Sequence, residues 1–234
     1  MRGGYPRSWL ADSDSIAFDW LEQYARTFLG RDIPQLGFNI PAAVMRRFWM
    51  MLTHYHGQLL NHAEVARSLD LSEKQTRRYL DVLVGTYMIR RLQPWHVNID
   101  KRQVKTPKLF FRDSGIFHLL AGIATAEDLM VFPRLGASWE GFALEQILRM
   151  RNVRDEDAYF WAVHQQCDID LLLFEGSQPI GFEIKHTSTP KITESMLTAI
   201  KILKLKHLYV VYPGSVVINL HEKITATPLS KCPR

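Results

Sequence analysis

The stretch CDIDLLLFEGSQPIGFEIKH, residues 167–186, admits few folded forms. Leu171–Phe174 and Ile180–Ile184 have the composition of strands, and EGSQ between them has that of a turn. This spacing predicts a β-hairpin with Glu175–Gln178 as its loop, Phe174 opposite Pro179 and, counting back, Asp170 opposite Glu183. Directly opposed side chains lie about 4.5–5.5 Å apart, a distance at which like charges repel. Lys185, two residues past Glu183, points to the same face. Two acids and a lysine at one end of an apolar hairpin call for a further cation.

The chain has 234 residues, enough for one large domain or two ordinary ones. With 47% hydrophobic and 23% charged residues it is globular in composition rather than disordered. Cys167 and Cys232 offer neither a disulfide framework nor zinc spacing, so a reducing cytoplasm is the expected setting. MRGGYPRSWL lacks the apolar core of a signal peptide, and no apolar run approaches the length of a membrane span.

Three segments follow from the pattern. In residues 1–40, Ile16, Trp20, Leu21, Tyr24 and Phe28 recur at helical spacing, and Gly30 and Pro34 are expected to close that helix. One amphipathic helix has no core of its own, so the segment must pack on something else. In residues 41–122, Asn61 with Glu64 and Ser72 with Gln75 form capping patterns before two short helices, the outline of a helix-turn-helix. YMIRRLQPW and KTPKLFF after it suggest strands and a winged variant. In residues 123–234 the expected order is α-β-β-β-α-β, an α/β pattern with an antiparallel hairpin inside it.

Charge is unevenly spread. From Lys74 to Arg112 there are ten Lys or Arg and two acids, a local +8, so the rest of the chain sums to −3 within the total of +5. Lys74, Arg77 and Arg78 fall on the second helix of the motif, where a recognition helix would enter the major groove. Arg90 and Arg91 on the next strand, and Lys101, Arg102, Lys105 and Lys108 beyond it, are candidate phosphate contacts. The expected partner is nucleic acid, DNA in particular. A solvated basic face or a protein-binding winged helix is the alternative.

Glu140 joins the hairpin acids. Its helical neighbours Gly136, Ala137, Ala143 and Leu144 are small or apolar, so its carboxylate would be partly buried, whereas Glu145 has Arg149 four residues on as a surface ion pair. A helix acid, an Asp on one hairpin strand and E-x-K on the next resemble the PD-(D/E)XK nuclease superfamily, with Glu140, Asp170, Glu183 and Lys185 in those places. The resemblance implies phosphodiester hydrolysis, with Glu140, Asp170 and Glu183 holding Mg²⁺ or Mn²⁺ and Lys185 orienting or deprotonating water. A solvated hairpin whose lysine pairs with either acid is the plain alternative.

A wider resemblance covers residues 2–190. RGGYPRS, YARTFLGRDIPQLG, SEKQTRRYLDVLVGTYMIRRLQPWHVN, KTPKLFFRDSGIFHLLAG, GASWEGFALEQI and CDIDLLLF with GFEIKH are similar to the C-terminal part of prokaryotic AAA-type ATPases carrying the domain of unknown function 4143. It implies that residues 1–40 are a remnant of an ATPase lid, 41–122 a winged helix and 123–234 a nuclease-like domain. No GxxxxGK[ST] occurs, so no ATP site is expected and the chain reads as a short form or truncated product that works with an ATPase domain or subunit. Asp168 stands where the family commonly has Glu, and Ala162 where Arg is frequent. The rival to a nuclease is a non-catalytic DNA- or protein-interaction module on a degenerate scaffold.

Other signals carry less. His54 and His56 are two apart and do not share a helix face, so surface histidines are expected. GASWE lacks the last glycine of a nucleophile elbow. Cys167 at a strand edge, and Trp139, Phe142 and Ile147, read as packing residues.

Overall fold

A computed structural model describes residues 1–97, 103–163 and 167–233, without the side chain of Cys167. The chain forms two compact units, Met1–Arg90 with Leu109–Leu135, and Arg91–Lys108 with Gly136–Arg234. No described helix is long and apolar enough to cross a membrane.

The first unit is largely helical: α1 (Pro6–Trp9), α2 (Asp14–Thr27), α3 (Ile33–Gln35), α4 (Ala42–Leu52), α5 (His62–Leu69), α6 (Glu73–Gly85), α7 (Ser114–Leu120) and α8 (Ala126–Met130). A short strand β1 (Gln58–Leu59) lies between α4 and α5, β2 (Ile89–Pro94) leads out of the unit, and β3 (Lys108–Phe111) leads back. The core joins Leu21, Ala25 and Phe28 to Phe48, Trp49, Leu52, Leu80, Leu83, Phe111 and Phe117. Of the apolar stripe expected on α2, Leu21 and Phe28 are in the core and Trp20 and Tyr24 pack against it, while Ile16 is exposed and Ala17 and Ala25 are buried in addition. Gly30 and Pro34 do not end the helix. It continues through a wider turn at Phe28–Asp32 into α3, where Ile33 N–H still donates to Phe28 O and Pro34, which has no N–H to place, comes just before the chain leaves the helix at Leu36.

Both expected helix starts form. Asn61 Oδ1 accepts from Glu64 N–H, and Ser72 and Gln75 exchange the reciprocal bonds of a capping box. Between α5 and α6 only Asp70 to Ser72 intervene, with Asp70 left-handed at φ 53°. His56 is not a surface residue. Its Nδ1 accepts from Phe111 N–H at 3.0 Å, and its ring stacks on Phe117 at 4.2 Å between centroids. The aromatic cluster supplies apolar cover that the spacing to His54 could not reveal.

The second unit is a mixed α/β assembly. Helix α9 (Leu135–Met150) precedes β4 (Tyr159–Val163), β5 (Cys167–Glu175) and β6 (Gln178–Ile184). Then come α10 (Glu194–Leu203), β7 (His207–Tyr212), β8 (Ile218–His221) and β9 (Ile224–Pro228). The strands follow the order β2-β4-β5-β6-β7-β9-β8. β4-β5-β6 is an antiparallel meander, while β6-β7 and β7-β9 are parallel. One core cluster packs Met196, Ala199 and Leu203 of α10 against Trp161, Ile169, Leu172, Leu208, Val210 and Ile224.

The hairpin has the predicted register, with Phe174 opposite Pro179 and Leu171 opposite Phe182, but its turn is shorter than expected: Glu175 and Gln178 pair as strand residues and only Gly176 and Ser177 form the turn. Its inner strand is buried from Ile180 to Ile184. Gly181 is required there: a Cβ would stand 2.9 Å from Leu208 Cδ1 and 3.0 Å from Leu205 Cδ1, and both leucines are fully buried with nowhere to turn. Gly181→Ala is expected to destabilise the protein by about 1–3 kcal/mol, read as a lower urea midpoint at unchanged slope.

Candidate functional site

The site is built at the open end of that hairpin. From Tyr159↔Leu172 to Trp161↔Ile169, β4 advances two residues and β5 three, so Asp170 and Leu171 together face Phe160. This is a β-bulge, a device that re-aims a side chain next to a sheet edge or site. Beyond the last β5–β6 pair, Ile184 N–H donates to Asp170 Oδ2 at 2.8 Å. The other carboxylate oxygen, Oδ1, lies 3.4 Å from Lys108 Nζ. Asp170 is therefore compensated on both sides, and the repulsion expected between it and Glu183 is not its main interaction.

Glu183 is 4% exposed. Its Oε1 meets Lys185 Nζ at 2.6 Å, while its Oε2 is buried with no hydrogen-bond partner. Glu140 Oε1 is likewise buried without a hydrogen bond and stands 3.6 Å from Lys108 Nζ. Burial first, and then the charge of Asp170, push both glutamates above the ordinary carboxylate range, against the pull of Lys185 on both and of Lys108 on Glu140. Burial would lower Lys108, yet Asp170, Glu140 and Asp168 outweigh it and hold the ammonium above its usual value. Lys185 is raised in the same way, by Glu183 and Asp170 against burial.

The structure thus brings together Glu140, Asp170, Glu183 and Lys185, and adds Lys108, which the sequence placed among phosphate contacts. Lys108 is 13% exposed, and its Nζ also lies 5.4 Å above the Phe160 ring. It faces acids rather than solvent. The donor set has the hard-oxygen chemistry of an Mg²⁺ or Mn²⁺ site, and the two buried carboxylate oxygens without hydrogen bonds fit a cation. The spacing does not yet fit: among the described residues, no three of His, Cys, Asp and Glu stand together as a metal-holding group.

Glu145 is a second correction. It is buried rather than on the surface, since α9 also buries Ser138, Gly141, Leu144 and Leu148 and leaves little of its circumference in water. Phe142, read as core, is 40% exposed on that helix.

The basic candidates divide. Lys74, Arg77 and Arg78 are exposed on α6 and line a cleft of about 510 Å³ with Phe38, Asp81 and Val82. Arg77 also lies 3.6 Å from Glu73. Arg91 and Lys105 are exposed in the second unit. Arg90 is buried and so is withdrawn from phosphate contact. Lys101 and Arg102 lie outside the described residues.

Fold and site together define a mixed α/β protein with an acid–lysine cluster on a bulged hairpin and a helical unit carrying a basic cleft. Residues 1–127, more than half of the chain, match the family described as domain of unknown function (DUF8612), and the chain belongs to that family. Residues 135–232 match the model described as domain of unknown function (DUF4143). Uncharacterized proteins of Mycobacterium tuberculosis and Mycobacterium bovis are each 46% identical over 228 residues, covering 97% of this chain and 51% of each relative. The chain spans about half the length of these curated relatives. No solved structure gives a significant match.

Proposed function

We propose that the protein binds DNA through the helical unit and carries a PD-(D/E)XK-like site for divalent-metal-dependent phosphodiester hydrolysis in the α/β unit. The observation that carries this reading is a pair of buried carboxylate oxygens without hydrogen bonds, Glu183 Oε2 and Glu140 Oε1, the latter reached only by the Lys108 ammonium at 3.6 Å, beside Asp170 and Lys185. Buried acceptors without hydrogen bonds are costly, and two at one sheet end are explained by a ligand that would satisfy them. Glu140, Asp170 and Glu183 would hold Mg²⁺ or Mn²⁺, which when bound would polarise phosphate and acidify water. Lys185, half-exposed and tied to Glu183, is held as an ammonium and would orient the attacking water rather than take its proton.

For DNA, the support is α6. Lys74, Arg77 and Arg78 leave the second helix of a tight two-helix turn, the position of a recognition helix in a winged helix-turn-helix. A working partner in the form of an ATPase domain or subunit belongs to the same proposal and rests on the sequence resemblance; the relatives are about twice as long as this chain. A second reading has its own observation: the Lys108 ammonium among the acids favours a non-catalytic scaffold, in which the helical unit binds DNA or protein and nothing is cleaved.

One experiment separates them. Labelled duplex DNA is incubated with the protein in millimolar Mn²⁺ over a salt series, with Lys185→Met and Arg77→Ala/Arg78→Ala as variants. A nuclease gives cleavage that Lys185→Met abolishes. The arginine variant weakens binding and reduces the log–log salt slope by about one for each phosphate no longer neutralised. Retained binding with no cleavage by wild type at any metal concentration would leave the scaffold reading.

A further inference from the structure

Lys108 holds the most informative position in the acid cluster. Its ammonium bridges Asp170 Oδ1 at 3.4 Å and Glu140 Oε1 at 3.6 Å. The backbone leading to it is anchored. Val104 N–H donates to Ala162 O at 3.1 Å. The Gln103 amide takes Val97 N–H at 3.0 Å and Trp161 Nε1–H at 3.3 Å, and gives its own N–H to Val97 O at 2.7 Å. Phe160, the residue that the bulge faces, lies under the ammonium. A lysine held by its own segment, its floor and two acids is part of the site rather than a side chain that strayed into it.

The charge balance says what it does. Glu140, Asp170, Glu183 and the nearby Asp168 face Lys108 and Lys185, a formal sum of −2. An ammonium between two carboxylates supplies one positive charge at the place a divalent ion would supply two. It also keeps those acids at ammonium spacing, which accounts for the absence of a ready three-ligand group among the described residues.

We infer that Lys108 is a resident counter-cation that occupies the metal position between Glu140 and Asp170, so that a divalent ion enters only by displacing its ammonium. This rests on the reading of the acids as metal ligands. The consequence is a metal threshold set by the protein: the wild type binds Mn²⁺ weakly, because the ammonium already offsets part of the acids' charge at the metal position. Glu183, with an oxygen still unsatisfied, is the ligand that the ammonium does not serve.

The test is Mn²⁺ binding by titration calorimetry on the full chain, wild type against Lys108→Met, Lys108→Arg and Lys108→Met/Glu183→Gln. Lys108→Met is expected to bind about tenfold or more tightly than wild type, since a positive charge a few ångströms from the ion is removed. Lys108→Arg should stay as weak as wild type, and the double variant should lose the gain. Equal or weaker binding by Lys108→Met, with wild-type binding measurable, would overturn the inference and leave the metal reading intact. Absence of binding in every folded variant would overturn both. Should Lys108→Met not fold, ¹⁵N-lysine spectra of wild type decide the matter. The Lys108 ammonium signal, assigned with Lys108→Arg, must shift as Mg²⁺ is added, and a signal that stays fixed while metal binds rejects displacement.

Discussion

Asp170→Ala is expected to lower the stability of metal-free protein by about 3 kcal/mol, roughly 10 °C in unfolding midpoint for a unit of this size. Two losses add up. The Lys108 ammonium, 13% exposed, loses its closer acid, and breaking a buried pair leaves an uncompensated charge. Ile184 N–H, which donates to Asp170 Oδ2 at 2.8 Å in a buried setting, loses its acceptor. Glu140, still 3.6 Å from the ammonium, keeps the cost from being larger. Asp170→Asn separates the parts, because its amide oxygen still accepts from Ile184 while the charge is gone, and should cost clearly less than Ala. Asp168→Ala is the control. Asp168 is exposed, and the change should stay within about 0.5 kcal/mol of wild type. Calorimetric scans in EDTA check all three, and equal midpoints for Asp170→Ala and Asp168→Ala would remove Asp170 from its structural role.

This result also shows how far the sequence speaks for the site. The hairpin register and the gathering of Glu140, Asp170, Glu183 and Lys185 were legible, because turn chemistry and strand composition specify pairing locally, although the turn itself is Gly176–Ser177 rather than the four residues expected. The bulge was not. One extra residue in β5 leaves the hydrophobic pattern of LLLF unchanged, and only the pairing with β4 exposes it. Lys108 was missed for a different reason. It lies 62 positions from Asp170 in a run of basic residues, and a sequence carries a lysine's charge but not its direction. Glu145 and His56 failed alike: reading their nearest helical neighbours ignored distant apolar groups, which bury the carboxylate on α9 and stack on the ring. The helix caps and the hairpin register, whose partners are local, were read correctly, whereas Gly30 and Pro34 were not the helix stop they resemble. The site depends on partners that are not local.

Glu183→Gln is expected to act in the opposite direction to Asp170→Ala and to do so as a function of pH. Glu183 is held above the ordinary carboxylate range, to about 8, by burial and then by the charge of Asp170, with Lys185 pulling the other way. In the unfolded chain it titrates near the ordinary value of about 4.3. Below that value both states are protonated and the residue has no net effect on stability from ionisation. As pH rises towards 8 the unfolded chain releases the proton and the folded chain keeps it, so the folded state binds more protons and stability falls. The loss is complete once pH passes the folded value. Replacing the carboxyl with an uncharged amide removes this slope, so Glu183→Gln should match wild type near pH 4 and exceed it at pH 8 by on the order of 1–3 kcal/mol. The exposed Lys185 loses a partner in the exchange, a minor cost for a side chain 47% in water. Glu140 is raised by the same causes, so the double change Glu140→Gln/Glu183→Gln should flatten the profile further. Mn²⁺ should reverse the comparison. A cation selects the ionised carboxylates, so added metal should stabilise wild type increasingly from pH 6 to pH 8 and leave Glu183→Gln nearly unmoved. Urea midpoints at pH 4, 6 and 8, with EDTA and with Mn²⁺, measure both halves. A wild-type profile parallel to that of the variant in EDTA would show that Glu183 ionises freely in the folded chain, and the buried unsatisfied oxygen would then require another explanation.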